Sequence, residues 1–215
     1  MASPIIMGRI ASGVKAFLGT HAALTITSLA YGVYGPKEES FSEKETPRRE
    51  AAFDAYHYKF VTDLVCDMYS GNGISGRNPD HIELGETVTF EDPAAICSGR
   101  KEVQEAFRAL GIVDPESLER PVCIDVEPKG DSISLTYALK QRYLGSLEVA
   151  SLLEVDVHLG PIPNNPESKF VVTRIEEQWN GVKPLGSLLF WIVRRINGVV
   201  SWNLTTRMIR EKTIQ

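Results

Sequence analysis

From residue 122 onward, apolar and polar residues alternate. Val122, Ile124 and Val126 are interleaved with Cys123, Asp125 and Glu127, and Ile133, Leu135, Tyr137 and Leu139 with small or polar residues. Successive side chains of a strand point to opposite faces, so a period of two predicts strands over Val122–Glu127, Ser132–Tyr143, Leu147–Leu159 and Lys169–Trp179. "PKGD" and "YLGS" between the first three carry tight-turn chemistry and predict an antiparallel meander, with "GPIPNNPES" a longer loop before the last strand. Ala51–Tyr69 has the helical period instead: Phe53, Tyr56, Phe60, Leu64 and Met68 recur at steps of three and four. Between these regions "TVTFEDPAAICSGRKEVQEAF", Thr87–Phe107, joins a strand, a proline turn and a helix start. The order of helix, strand, helix and several strands predicts an α+β fold, with helices gathered on one face of a curved antiparallel sheet.

Both ends of the chain carry further apolar stripes. The first 37 residues hold Arg9, Lys15 and Lys37 with no acid before Glu38, and Ala16–Tyr34 is mostly apolar. Gly19, Thr20, His21 and Thr25 interrupt this run, which makes it weak as a spanning helix, since about 20 consecutive apolar residues are needed. Three readings stand: a targeting segment, an interfacial helix, or an ordinary helix packed on the domain. Leu185–Ile209 is a long helix by pattern, and its apolar positions with Trp191, Trp202 and flanking arginines suit either packing or a membrane surface. The charged run Lys37–Arg49 reads as a linker. The chain thus divides into an anchor or targeting segment with linker at 1–45, a core at 46–182 and an amphipathic helix at 183–215.

Composition narrows the functions. With 23 Lys and Arg against 28 Asp and Glu, the net charge of −5 argues against a nucleic-acid partner. Cys66, Cys97 and Cys123 are far apart and odd in number, which argues against a disulfide framework or zinc knuckle and points to a reducing intracellular compartment. Gly71–Gly76 spells GxGxxG, but a helix precedes it and Asn78-Pro79 follows, so the strand-to-helix context of a dinucleotide site is missing. No metal or organic cofactor is implied, because no ligand spacing is present.

Element order and the "FEDP" turn together resemble the nuclear-transport-factor-2-like (NTF2-like) superfamily, the cone-shaped α+β fold of ketosteroid isomerases and SnoaL-like polyketide cyclases. The resemblance covers Arg49 to about Gly181. It implies a cone pocket for a hydrophobic small molecule and acid–base chemistry of the isomerase, cyclase or dehydratase kind. Asp92 matches the isomerases' general base, and Glu154 falls near their second acid. Glu154, Asp156 and His158 share a strand face, so they form either a titratable row inside the cone or a solvated face outside it. Asp92, Glu154 and His158 are therefore the catalytic candidates. His57 is a first-helix candidate for proton transfer, and with Tyr58, Phe60, Phe90, Leu152, Asp156 and Trp179 it makes up the expected substrate contacts. The isomerases' oxyanion tyrosine has no counterpart near Leu64. The alternative is a non-catalytic, membrane-associated module of the same fold, using the cone for lipid binding or subunit contact. Dimers are common in the superfamily, and an exposed sheet face would supply the interface.

Overall fold

The computed structural model describes residues 21–34, 55–70, 74, 82–159 and 170–213. A first helix, α1, occupies residues 21–34, and α2 follows at Ala55–Met68. Strand β1 (Ile82–Glu91) turns through "DPAA" into the short β2 (Ile96–Ser98), which leads directly into α3 (Arg100–Ala109) and a 3₁₀ turn at Leu110–Val113. Four strands then run as β3 (Glu116–Ser117), β4 (Val122–Lys129), β5 (Ser132–Tyr143) and β6 (Leu147–Leu159). After β7 (Phe170–Trp179) the chain closes with α4 (Leu188–Thr213).

Turn chemistry sets the meander. Gly130 (φ 68°) turns β4 into β5, and Leu144 (φ 52°) with Gly145 (φ 73°) turns β5 into β6. Two successive positive φ angles match the right-handed twist of the flanking strands, which fixes the register. β5 and β6 accordingly pair without slippage from Ser132↔His158 to Tyr143↔Leu147. The seven strands form one sheet in the order β2-β1-β7-β6-β5, with β3 and β4 sharing the far edge of β5. One neighbour departs from the antiparallel expectation: β1 and β7 pair in parallel, Ile82↔Phe170 through Glu91↔Glu176. A parallel pair needs a long crossover, and here α3 and the whole meander supply it. No local turn signal in the sequence could announce that pairing.

The core lies between the sheet's inner face and the helices. Leu135, Tyr137, Leu153, Val155, Val157 and Ile175 point inward from β5, β6 and β7. They meet Val61, Val65 and Met68 of α2 and Val103 and Phe107 of α3. Burying each large side chain contributes about 1.5–3 kcal/mol. α3 starts at Gly99, whose φ of 86° suits a residue without Cβ, and Glu102 Oε2 accepts the Ser98 amide at 2.9 Å to satisfy a free donor of that first turn.

The described part of helix α4 turns polar side chains inward alongside Val193. Arg194 is 2 % exposed, and Arg195 and Asn197 are part-buried against the β1–β2 turn, while Leu188, Leu189, Trp191 and Ile192 face away from the domain. Gly198 lets the helix come so close that a Cβ there would collide with the Ile96 carbonyl. No helix among the described residues is long and apolar enough to cross a membrane. The linker Lys37–Arg49 and, apart from Ile74, the Gly71–Gly76 stretch lie outside the described residues, as do residues 1–20.

Candidate functional site

At the end of the sheet where β1 finishes and the β5–β6 turn sits, the inner face is not filled by side chains. A cavity of about 540 Å³ remains there. Phe90, Tyr143, Val149, Glu177 and Trp179 form its sheet wall, and Ala106, Phe107, Leu110 and Val113 close it from α3 and the 3₁₀ turn. The third wall is α1, through Ile26, Leu29, Ala30 and Val33. This helix crosses the "DP" turn at Gly32, where a Cβ would come within 2.7 Å of the Pro93 ring. Ser28 Oγ donates to the Pro93 carbonyl at 2.6 Å, and Asn180 Nδ2 donates to the Val33 carbonyl at 3.1 Å. Residues 21–34 thus form a helix packed on the domain, and they complete the cavity; the rest of the N-terminal stripe lies outside the described residues.

Asp92 stands on the cavity wall, 8 % exposed. Its Oδ1 accepts the amides of Ala94 at 2.7 Å and Ala95 at 2.5 Å, so it does cap the turn. Both bonds fall on one oxygen; Oδ2 has no hydrogen-bond partner among the described residues. Arg194 fixes the turn from behind, donating to Glu91 Oε1 at 2.7 Å and to the Asp92 carbonyl at 3.0 Å. Asn197 Nδ2 holds the Ala94 carbonyl at 2.7 Å. Burial and then the nearby Glu177 charge push the Asp92 carboxyl up to about 7, against the opposing pull of the two amides and Arg194.

Glu177 is the second acid of the cavity, and sequence reasoning missed it. Its side chain is 2 % exposed, and Tyr69 donates its hydroxyl to Oε2 at 2.7 Å. Burial raises its pKa as well. Ser151 and Trp179 face the same carboxyl and restrain that rise, yet Glu177 Oε1, Ser151 Oγ and Trp179 Nε1 are all buried without reaching hydrogen-bond geometry. The signal was present in "RIEEQW": Glu177 has the strand parity of Ile175 and Trp179, both apolar, whereas Glu176 has the other.

The residues expected at the site separate into groups. Asp92, Phe90 and Trp179 line the cavity. Phe60 is buried in the core beside it. His57 and Tyr58 lie in the first turn of α2, and their side chains fall outside the described part. Glu154, Asp156, His158 and Leu152 do not converge with Asp92: on β6 they alternate with the buried Ser151, Leu153, Val155 and Val157 and occupy the outer face. The outward arrangement is stabilised by cations. Lys129 Nζ reaches Glu154 at 3.0 Å and Asp156 at 3.4 Å, and Arg174 Nη1 reaches the same two at 3.2 and 3.3 Å. His158 Nδ1 lies 3.5 Å from Asp131. Leu64, where the resemblance would place a tyrosine, is buried in the core; Tyr69, just past α2, bonds Glu177, and Tyr143 stands in the cavity wall.

The helix–strand–helix–meander order around a curved, unclosed sheet is the architecture implied by the sequence resemblance. The fold is NTF2-like. Solved structures similar to it include a function-unknown protein from Mycobacterium tuberculosis, at 11 % identity and TM-score 0.41, covering 70 % of this chain and 94 % of that one. A putative ketosteroid isomerase from Parabacteroides distasonis shares 12 % identity at TM-score 0.38, with 66 % and 93 % covered. An NTF2-like protein of unknown function from Cytophaga hutchinsonii shares 14 % identity at TM-score 0.36, with 60 % and 93 % covered. Similarity at this level carries nothing about activity. No family model matches the sequence, and no curated protein does.

Proposed function

We propose that this NTF2-like chain binds an apolar small molecule in the cavity and that Asp92 exchanges a proton with it, the step common to isomerase, cyclase and dehydratase chemistry. The observation that carries the reading is the split role of the Asp92 carboxyl. One oxygen is pinned by Ala94 and Ala95, while the other has no partner at the wall of an apolar cavity. A proton acceptor works best when its pKa lies near the working pH, and about 7 meets that condition. The test is deuterium uptake from D₂O at the carbon next to the carbonyl of a hydrophobic ketone such as 2-decalone, followed by NMR. Asp92→Asn keeps the turn-capping oxygen and loses the base. It is expected to slow exchange by a factor on the order of 10²–10⁴ while leaving binding of the neutral dye Nile red unchanged. Full-rate exchange by Asp92→Asn would remove Asp92 from the chemistry.

The outward apolar residues of α4 favour a second, compatible reading, contact with a membrane surface. Changing Leu188, Leu189 and Trp191 together to Ser should release the protein from anionic liposomes without altering its melting temperature. Retention on liposomes would refute this reading.

A further inference from the structure

The cavity holds two acids and no base. Among the described residues lining it, Asp92 and Glu177 are the only ionisable groups apart from tyrosines; no Lys, Arg or His contributes. Among the described residues Asp92 Oδ2 and Glu177 Oε1 lack hydrogen-bond partners, Ser151 and Trp179 facing the Glu177 carboxyl without reaching bonding geometry, and the Glu177 side chain is more than nine-tenths buried. Other groups near the pair cannot neutralise it. Tyr69 at the end of α2, Tyr143 on β5 and Cys97 on β2 are uncharged near neutrality, their proton affinities raised first by burial. Glu91 adds a further carboxylate, and the nearby cations are already engaged: Arg194 uses its terminal nitrogens on Glu91 and on the carbonyls of Asp92 and Leu185, and Arg195 uses its own on Glu102 and the Ile96 carbonyl.

From this arrangement we infer that the ligand is an apolar amine, bound as its ammonium ion between Asp92 and Glu177. The inference rests on the cavity being the ligand site, and not on the proton-transfer step proposed for Asp92. Two carboxyls buried in the wall of one apolar cavity retain a proton because their charges repel and are poorly solvated. An ammonium group supplies the missing charge and three donors, one for each free carboxyl oxygen and one to spare. The proton held by the pair then leaves to solvent. A neutral hydroxyl satisfies the hydrogen bonds but not the charge, and an anion is repelled. Aromatic rings suit the same ligand: Phe90 and Phe107, with ring centroids 4.8 Å apart, share the wall with Tyr143 and Trp179, and ring faces attract cations.

The test compares 1-naphthylmethylamine with its neutral isostere 1-naphthalenemethanol by titration calorimetry on the full chain at pH 7.5, in two buffers of different ionisation enthalpy. The amine is expected to bind at least about ten-fold more tightly than the alcohol, with release of up to one proton that appears as a buffer-dependent heat. Its affinity should fall as pH drops below about 7, the value to which Asp92 is raised. Glu177→Gln should abolish most of the preference, whereas Glu154→Gln on the outer face should leave both affinities unchanged. If the alcohol binds as well as the amine, or no proton is released, the amine inference is overturned and the cavity reading stands. If neither compound binds, both fall.

Discussion

Glu176 and Glu177 are neighbours in the chain and opposites in the molecule. Glu176 points out of the sheet, pairs with Arg174 and joins a row containing Glu154, Asp156 and Lys129. Glu177 points in, 2 % exposed, and shares an apolar cavity with Asp92. Partial burial would raise Glu154 and Asp156, but the Ser134 hydroxyl, Lys129 and Arg174 together outweigh it and both end below the usual carboxylate range. Inside, burial outweighs the pull of Arg194 and the turn amides on Asp92 and of the hydrogen-bonding groups around Glu177, so both end above it. Identical chemical groups a strand's thickness apart are thus set for different work: permanent charge in water on one face, exchangeable protons on the other.

That contrast can be broken most severely at its support. Arg194→Met leaves Glu91 and the Asp92 carbonyl without their buried partner and unlocks α4 from the turn, so urea unfolding should show a loss of about 3 kcal/mol. Next in size is the pH dependence of Asp92. Its folded-state pKa lies above the ordinary 3.8, so the folded protein binds more protons than the unfolded chain between about pH 4 and 7. The contribution is favourable at low pH and lost as pH rises through 7. Asp92→Asn should therefore match wild type near pH 4.5 and be more stable at pH 8 by about 2 kcal/mol, because a neutral amide avoids the buried charge. Equal stability of the two proteins at both pH values would show that Asp92 is solvated.

A smaller effect sharpens the coupling within the inner pair. Glu177→Gln removes the second cause of the Asp92 shift, so the Asp92 carboxyl should titrate at lower pH by NMR. No movement would mean that burial alone sets it. The smallest effect belongs outside: Glu154→Gln should change stability by less than about 1 kcal/mol, less still in high salt, and leave cavity binding unaltered, since half-exposed ion pairs with alternative partners contribute little.

Much of this molecule could be read directly from residue order. The alternation in "SISLTYALKQRY" and "LEVASLLEVDVHL" gave β5 and β6 their ends because the Leu144-Gly145 turn between them leaves one register open. Asp92 was legible through the "FEDP" turn, and Phe90 and Trp179 were among the contacts expected from the resemblance. Local pattern thus determined the meander, the α+β order and the position of one acid. Tertiary structure decided which face of each strand became the inside, because that depends on where α2 and α3 land. It thereby turned Glu154, Asp156 and His158 outward and Glu177 inward. It also decided that α1 walls a cavity and that α4 presents arginines to the domain and leucines to solvent. An apolar stripe records that a surface is sticky, but the partner comes from a distant stretch of chain, and only the folded backbone brings the two together.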